Sequence, residues 1–261
     1  MAFTVHAVMP GVWHIVDCMG VCMTLLEGEN AAMLVDTGYG IEDVADFMRH
    51  MTDLPLTVFL THNHHDHAMG ARCFPETYML EADIADWRMF TDDKMRRRVL
   101  TQAIGKNLPV DEKTFLAGEI PLPKVMKPGV IDLGGLTAEI IEAPGHTPGS
   151  AVVYVPERKL LLSGDDWNPC TWLFFPQALG LREYRSNMRG IQQLPFEKVL
   201  CPHREALYDR WMFDDFFNAL TDGNLRAAEP VNIAPYEQID TCQATLPHDQ
   251  VLVFDWAKSG L

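Results

Sequence analysis

THNHHDHAMG, residues 61–70, gathers four histidines and one aspartate into the six positions from His62 to His67. A lone histidine is usually a surface group or a hydrogen-bonded core residue. Four of them beside an acid do not fit that description, because closely held imidazoles and carboxylates need a positive centre to offset their desolvation and keep the rings neutral. A metal site is therefore expected here. In extended chain the side-chain direction repeats every two residues, so His62 and His64 point the same way. A turn beyond them brings Asp66 and His67 toward the same cavity. His65 has the opposite parity and is expected to face elsewhere.

The cluster begins where LTVFL (56–60) ends, a nearly continuous apolar run that reads as a strand buried on both faces. Upstream, VWHIVD (12–17), VCMTLLEG (21–28) and AAMLVDTG (31–38) read as a β meander, and IEDVADFMRHM (41–51) has helical periodicity with acids near its start. Residues 81–105 read as helical, with the Arg96-Arg97-Arg98 run most simply a solvated face and anion binding the lesser alternative. The proline-rich stretch 106–128 reads as a loop or cover. A second meander follows in 136–145, 150–156 and 159–165; then come a helix at 181–195, a strand at 196–202, an aromatic helix at 206–220 and an apolar tail at 251–257. Two meanders, each followed by helices, predict an α/β chain built as a four-layer αββα sandwich, two mixed β-sheets with outer helices. One domain over 1–261 is expected, with a helical and proline-rich insertion at about 81–128.

Charge bounds the partners. Lys and Arg number 21 against 36 Asp and Glu, a formal net charge of −15. Such a chain repels long nucleic acid and anionic membrane on average, so a small-molecule substrate is the expected partner. No stretch approaches the roughly 20 apolar residues of a membrane span. With no basic leader before a long apolar run, a cytoplasmic location is expected. The six cysteines are too sparse for a disulfide framework, and Cys18, Cys22, Cys170 and Cys201 read as ordinary thiols.

At these residues the chain resembles the metallo-β-lactamase fold superfamily, and glyoxalase-II-like and lactonase-like hydrolases within it. The segment T-His62-x-His64-x-Asp66-His67 looks like its metal motif. His146 in APGHTPGS, Asp165 in LLSGDD and His203 in LCPH fall in the order of its later ligands, and Asp36 in LVDTG matches its preceding acid. The resemblance spans roughly residues 10–215. It implies that His62, His64 and His146 hold one metal, that Asp66, His67 and His203 hold a second, and that Asp165 bridges them. Asp36 would fix the tautomer of a ligand imidazole. Two divalent transition metals are implied, zinc by default, with iron or manganese compatible with the same donors. The chain departs from the family in Pro202-His203-Arg204, where glycine is common, and in Met69-Gly70, where two glycines are common.

The resemblance implies a metal-dependent hydrolase in which hydroxide formed at the metals attacks a small thioester, ester or lactone, with Asp66 orienting the nucleophile. No GxSxG nucleophile motif competes with this. Other readings are a β-lactam or small phosphodiester hydrolase, an iron-dependent sulfur dioxygenase, and a non-catalytic metal-stabilised binding protein. A lactonase-like tyrosine is absent after Asp165, where Asp166, Trp167 and Asn168 stand. The aromatic loop 166–177, the 106–128 excursion and the tail near Trp256 are candidate pocket walls.

Overall fold

In the computed structural model, which describes residues 3–261, side-chain alternation along the strands sets the layering. In the strand Ala32–Val35, Met33 and Val35 join one apolar cluster while Ala32 and Leu34 join another. The same split occurs in Ala151–Val155, where Val153 and Val155 face one side and Val152 and Tyr154 the other. Each strand is thus covered on both faces, which explains its lack of polar positions.

Seven strands form the first sheet in chain order: Thr4–Met9, Val12–Val16, Cys22–Glu27, Ala32–Val35, Leu56–Phe59, Tyr78–Met79 and Lys124–Val125. Pairing is antiparallel up to Ala32–Val35 and parallel from there on. The second sheet has the order Tyr208–Asp209, Lys198–Leu200, Leu160–Leu162, Ala151–Val155, Thr137–Glu142, Gly129–Asp132. Between the sheets, Met33, Val35 and Phe59 pack against Ile140, Val153, Val155, Leu160 and Leu162. The helix Val44–Met51 covers the outer face of the first sheet through Val44 and Met48. Helices Leu181–Ile191 and Arg210–Ala219 cover that of the second through Tyr184, Met188, Phe213 and Phe216. This is the mixed α/β sandwich that patterning predicts. A third sheet, Cys170–Leu173, Gln250–Asp255, Thr241–Leu246 and Glu229–Pro230, joins it on the outer side.

Several boundaries differ from expectation, each for a local reason. The first helix begins at Val44 because Asp43 caps it, accepting a hydrogen bond from the Asp46 amide at 2.9 Å. The 81–105 segment splits into Trp87–Thr91 and Asp93–Gly105 at Asp92, which caps the second piece. The helix expected over 181–195 ends at Ile191, and the one expected over 206–220 starts at Arg210 because Tyr208–Asp209 pairs as an edge strand. Within 166–177, Cys170–Leu173 is a strand rather than loop. The 251–257 tail is largely a strand of the third sheet, and Trp256 packs on the helix-side core.

Arg96 is the clearest correction. It is not part of a solvated face but only 4% exposed. Its guanidinium donates to the carbonyls of Gly118 at 2.6 Å, Phe115 at 2.7 Å and Ala117 at 3.3 Å, satisfying the end of the short helix Glu112–Phe115. That bond set ties the insertion to a cluster of Trp87, Val99, Leu100, Phe115 and Ile120, which also holds Leu60, Ala68 and Met69 of the histidine segment. Arg96→Met should strand these carbonyls and cost about 3 kcal/mol. Thermal unfolding should then fall by about 6 to 12 °C; a shift under 1 °C would show the guanidinium to be dispensable.

Candidate metal centre

Strands running in one direction deliver the site to one edge. Asp36 follows Ala32–Val35, Thr61 and His62 follow Leu56–Phe59, and these two strands are parallel. Asp165 follows Leu160–Leu162 and His203 follows Lys198–Leu200, again a parallel pair. His146 follows Thr137–Glu142, which two antiparallel steps align with Leu160–Leu162. The Ala151 amide donates to the Thr61 carbonyl at 3.0 Å and joins the two sheets at this edge. A single helical turn, His65–Ala68, then presents Asp66 and His67. The Thr37 hydroxyl and amide both donate to the His67 carbonyl at 2.8 Å. Gly70 lets that turn dock, since a Cβ there would lie 2.1 Å from the Thr37 carbonyl oxygen. Met69 is fully buried packing.

Hydrogen bonds assign the ring nitrogens. His67 Nδ1 donates to Asp36 Oδ2 at 3.0 Å, which leaves Nε2 as a lone pair. The Thr61 hydroxyl donates to Asp36 at 2.9 Å, so its oxygen accepts from His62 Nδ1 at 3.1 Å and frees His62 Nε2 in turn. One carboxylate thereby sets two tautomers. Asp36 itself sits at φ 64°, a left-handed conformation that aspartate tolerates. His146 Nδ1 donates to the Trp172 carbonyl at 2.7 Å, so the Nε2 lone pair faces His64 Nδ1 at 2.8 Å. His64 Nε2 lies 2.7 Å from the Gln177 amide, whose Oε1 has no partner; turning that amide over makes Oε1 the acceptor and fixes His64 with a free Nδ1.

The lone pairs converge. Ligand atoms of His62, His64 and His146 lie within 4.8 Å of one another, as do those of Asp66, His67 and His203, and those of His62, His67 and Asp165. Asp165 Oδ2 is 3.5 Å from both His67 Nε2 and His146 Nε2, and its carboxylate is 3.1 Å from His203 Nε2. Buried and without a hydrogen-bond partner, His62 Nε2 and His67 Nε2 call for a positive centre. All seven residues expected as ligands therefore meet at one place, with donors suited to divalent transition metals. Burial holds His62, His64 and His146 below the usual imidazole range, the neutral form a metal needs. Burial opposes charge on His67 and His203 too, but the nearby carboxylates, Asp165 foremost, raise both. A cation would take the place of those protons.

Above the ligands opens a cleft of about 460 Å³. Trp172 and Phe175 of the aromatic loop line it, whereas Trp167 and Phe174 are buried packing. The wall that the 106–128 excursion was expected to supply comes instead from Phe90, Arg98 and Gln102 on the two preceding helices. His65 stands outside the ligand triads, packed edge-on against Tyr39 at 5.5 Å. Cys170 lines the cleft and Cys201 is buried; neither joins a triad, and all six thiols are free. Sequence reasoning missed Gln177 and Tyr39, because no motif marks a residue whose part depends on a tertiary neighbour. No helix is long and apolar enough to cross a membrane among the described residues. Asp36→Asn should weaken metal affinity about 10- to 100-fold, measured by competition with a chelating dye, since both carboxylate oxygens accept from donors, the Thr61 amide at 2.7 Å and His67 Nδ1 at 3.0 Å, and the new NH2 would face one of them.

Comparison with known proteins agrees with this geometry. The family model described as the metallo-beta-lactamase superfamily matches residues 16–203. The acyl-coenzyme A thioesterase MBLAC2 of Gallus gallus is 26% identical over 202 residues, 69% of this chain and 70% of that protein. Among solved structures, a metallo-beta-lactamase from Pontibacter korlensis is similar in fold, with a TM-score of 0.57 and 18% identity over 83% of this chain and 98% of that one. A sec-alkylsulfatase from Pseudomonas sp. reaches a TM-score of 0.63 at 14% identity, covering 86% of this chain and 43% of that one.

Proposed function

Because this chain belongs to the metallo-beta-lactamase superfamily, we propose that it is a metal-dependent hydrolase of small acyl thioesters. His62, His64 and His146 would hold one divalent cation and Asp66, His67 and His203 a second, with Asp165 between them. The observation that carries this reading is the convergence of tautomer-fixed, buried lone pairs on the floor of an open cleft. When bound, such a cation pair supplies hydroxide at neutral pH and polarises a carbonyl.

The chain's own groups do the rest. Burial works against ionisation of Asp66, but His67, His65 and His203 overcome it and keep the carboxylate charged, suited to orienting a water proton. The aromatic wall of Phe90 and Phe175 removes water from one side of the cleft and takes an apolar acyl group. With hydroxide so supplied, addition to the thioester carbon would break the C–S bond, the sulfur leaving with its electron pair. A thiolate is a weak base, with a pKa of about 8.5, so its departure needs no positioned acid. The products are a carboxylate and a thiol. Likeness to a named thioesterase supports this choice of bond over an ester or lactone. Elemental analysis of protein purified without added metal, with thioester, ester, lactone, β-lactam and phosphodiester panels on the same sample, tests it. We expect about two metals per chain and thioesters turned over fastest. Oxygen uptake on a persulfide substrate, or metal bound with no turnover in any panel, would replace this reading.

A further inference from the structure

The cleft is chemically two-sided. Toward His64 and His146 it is aromatic: Phe90 lies 4.5 Å and Phe175 4.7 Å from the His64 ring, and Phe175 5.4 Å from that of His146. The same lining carries two guanidiniums, Arg98 on the helix Asp93–Gly105 and Arg204, which directly follows His203 in the chain. Both are exposed, as is Trp172 of the same lining, whereas Phe90 is buried and Phe175 half-buried, so the inner end is apolar and the rim carries the two guanidiniums beside one indole. Neither arginine has a carboxylate partner among the described residues, although Arg97 beside Arg98 pairs with Asp93 at 2.8 Å. Arg204 donates one Nη back to the His203 carbonyl at 2.8 Å, which leaves its other donors open.

Two unpaired arginines facing one cleft are unexpected in a chain of formal net charge −15, whose surface acids are plentiful enough to neutralise them. The lining acids Asp66 and Asp165 are matched in number by the arginines, so bound cations leave the cleft positive within an acidic surface. Such a local field draws an anion inward while the rest of the protein repels it. Guanidinium forks suit phosphate and carboxylate oxygens in particular.

We propose that Arg98 and Arg204 form an anion-reading rim, and that the substrate is a thioester whose thiol half carries phosphate groups. This rests on the thioester reading above. The acyl half takes the inner aromatic side. The charged thiol half stays at the open rim, where a carrier larger than the cleft extends into solvent.

The test compares the hexanoyl thioesters of coenzyme A and of N-acetylcysteamine, the second having a neutral thiol half. Wild-type protein should show the higher kcat/KM on the coenzyme A ester. In the Arg98→Gln/Arg204→Gln double variant the ratio of the two kcat/KM values should fall at least about tenfold, chiefly through KM. A ratio within twofold of wild type overturns the proposal. Calorimetric titration of metal-loaded protein with coenzyme A lacking its sulfhydryl reads the rim without turnover: Kd should rise at least about tenfold in the double variant, and an unchanged Kd overturns the proposal. Failure to hydrolyse either ester, with arginine-dependent binding intact, sinks the thioesterase reading and leaves the rim standing. An arginine-dependent preference for glutaryl over pentanoyl N-acetylcysteamine would move the anion to the acyl half and overturn the assignment to the thiol.

Discussion

Asp165→Ala should lower kcat/KM by at least about 1000-fold and empty at least one of the two sites. The Asp165 carboxylate lies within 3.1–3.5 Å of ligand nitrogens from both triads, on His67, His146 and His203. On the proposed two-cation reading, removing it would take away the negative charge placed between cations that would otherwise repel each other. It also leaves His203 Nε2 without its nearer carboxylate, with Asp66 Oδ2 at 3.7 Å remaining. Asp165→Asn separates these effects, since the amide keeps the shape and loses the charge. Both variants are checked by metal content and steady-state kinetics on one preparation. Full activity in Asp165→Ala with two metals retained would refute the bridging assignment.

Stripping the metal with a chelator should abolish hydrolysis and lower the unfolding midpoint by about 10 °C. Without a cation, the buried lone pairs of His146 Nε2 and His64 Nδ1 face each other at 2.8 Å, and His62 Nε2 and His67 Nε2 have no partner. A ligand present at about 1000 times its Kd stabilises by about 4 kcal/mol, and each kcal/mol moves the midpoint of a chain this size by about 2 to 4 °C. Calorimetry of stripped and reloaded protein measures the shift, and zinc, iron and manganese reloaded in turn show which ion restores turnover. A midpoint that moves by less than 2 °C while metal content falls to zero would mean the cavity holds its shape without a cation.

The legible part of this protein lay in pattern. Period-two apolar strands and 3.6-residue helical stripes predicted the layered α/β sandwich, because burial on two faces leaves a periodic trace in one dimension. Boundaries slipped where a single capping or edge residue decided them, as at Asp43, Asp92 and Tyr208. Arg96 misled because a charged residue in a basic run reads as solvated. Only the folded chain shows three carbonyls waiting for its guanidinium.

For the candidate centre, residue type alone marked the 62–67 cluster, while His146, Asp165 and His203 were added by resemblance to a family motif; each of the seven stands at a strand end or turn. Which nitrogen of His62, His64, His67 and His146 is free was decided in three dimensions by Asp36, Thr61, the Trp172 carbonyl and Gln177, and of these only the part of Asp36 was expected. The same holds for the two-sided cleft, where Phe90 and Arg98 from one end of the chain meet Phe175 and Arg204 from another. Local sequence records which atoms can bind a cation or an anion. Their direction and company arise from long-range packing, which leaves no local trace.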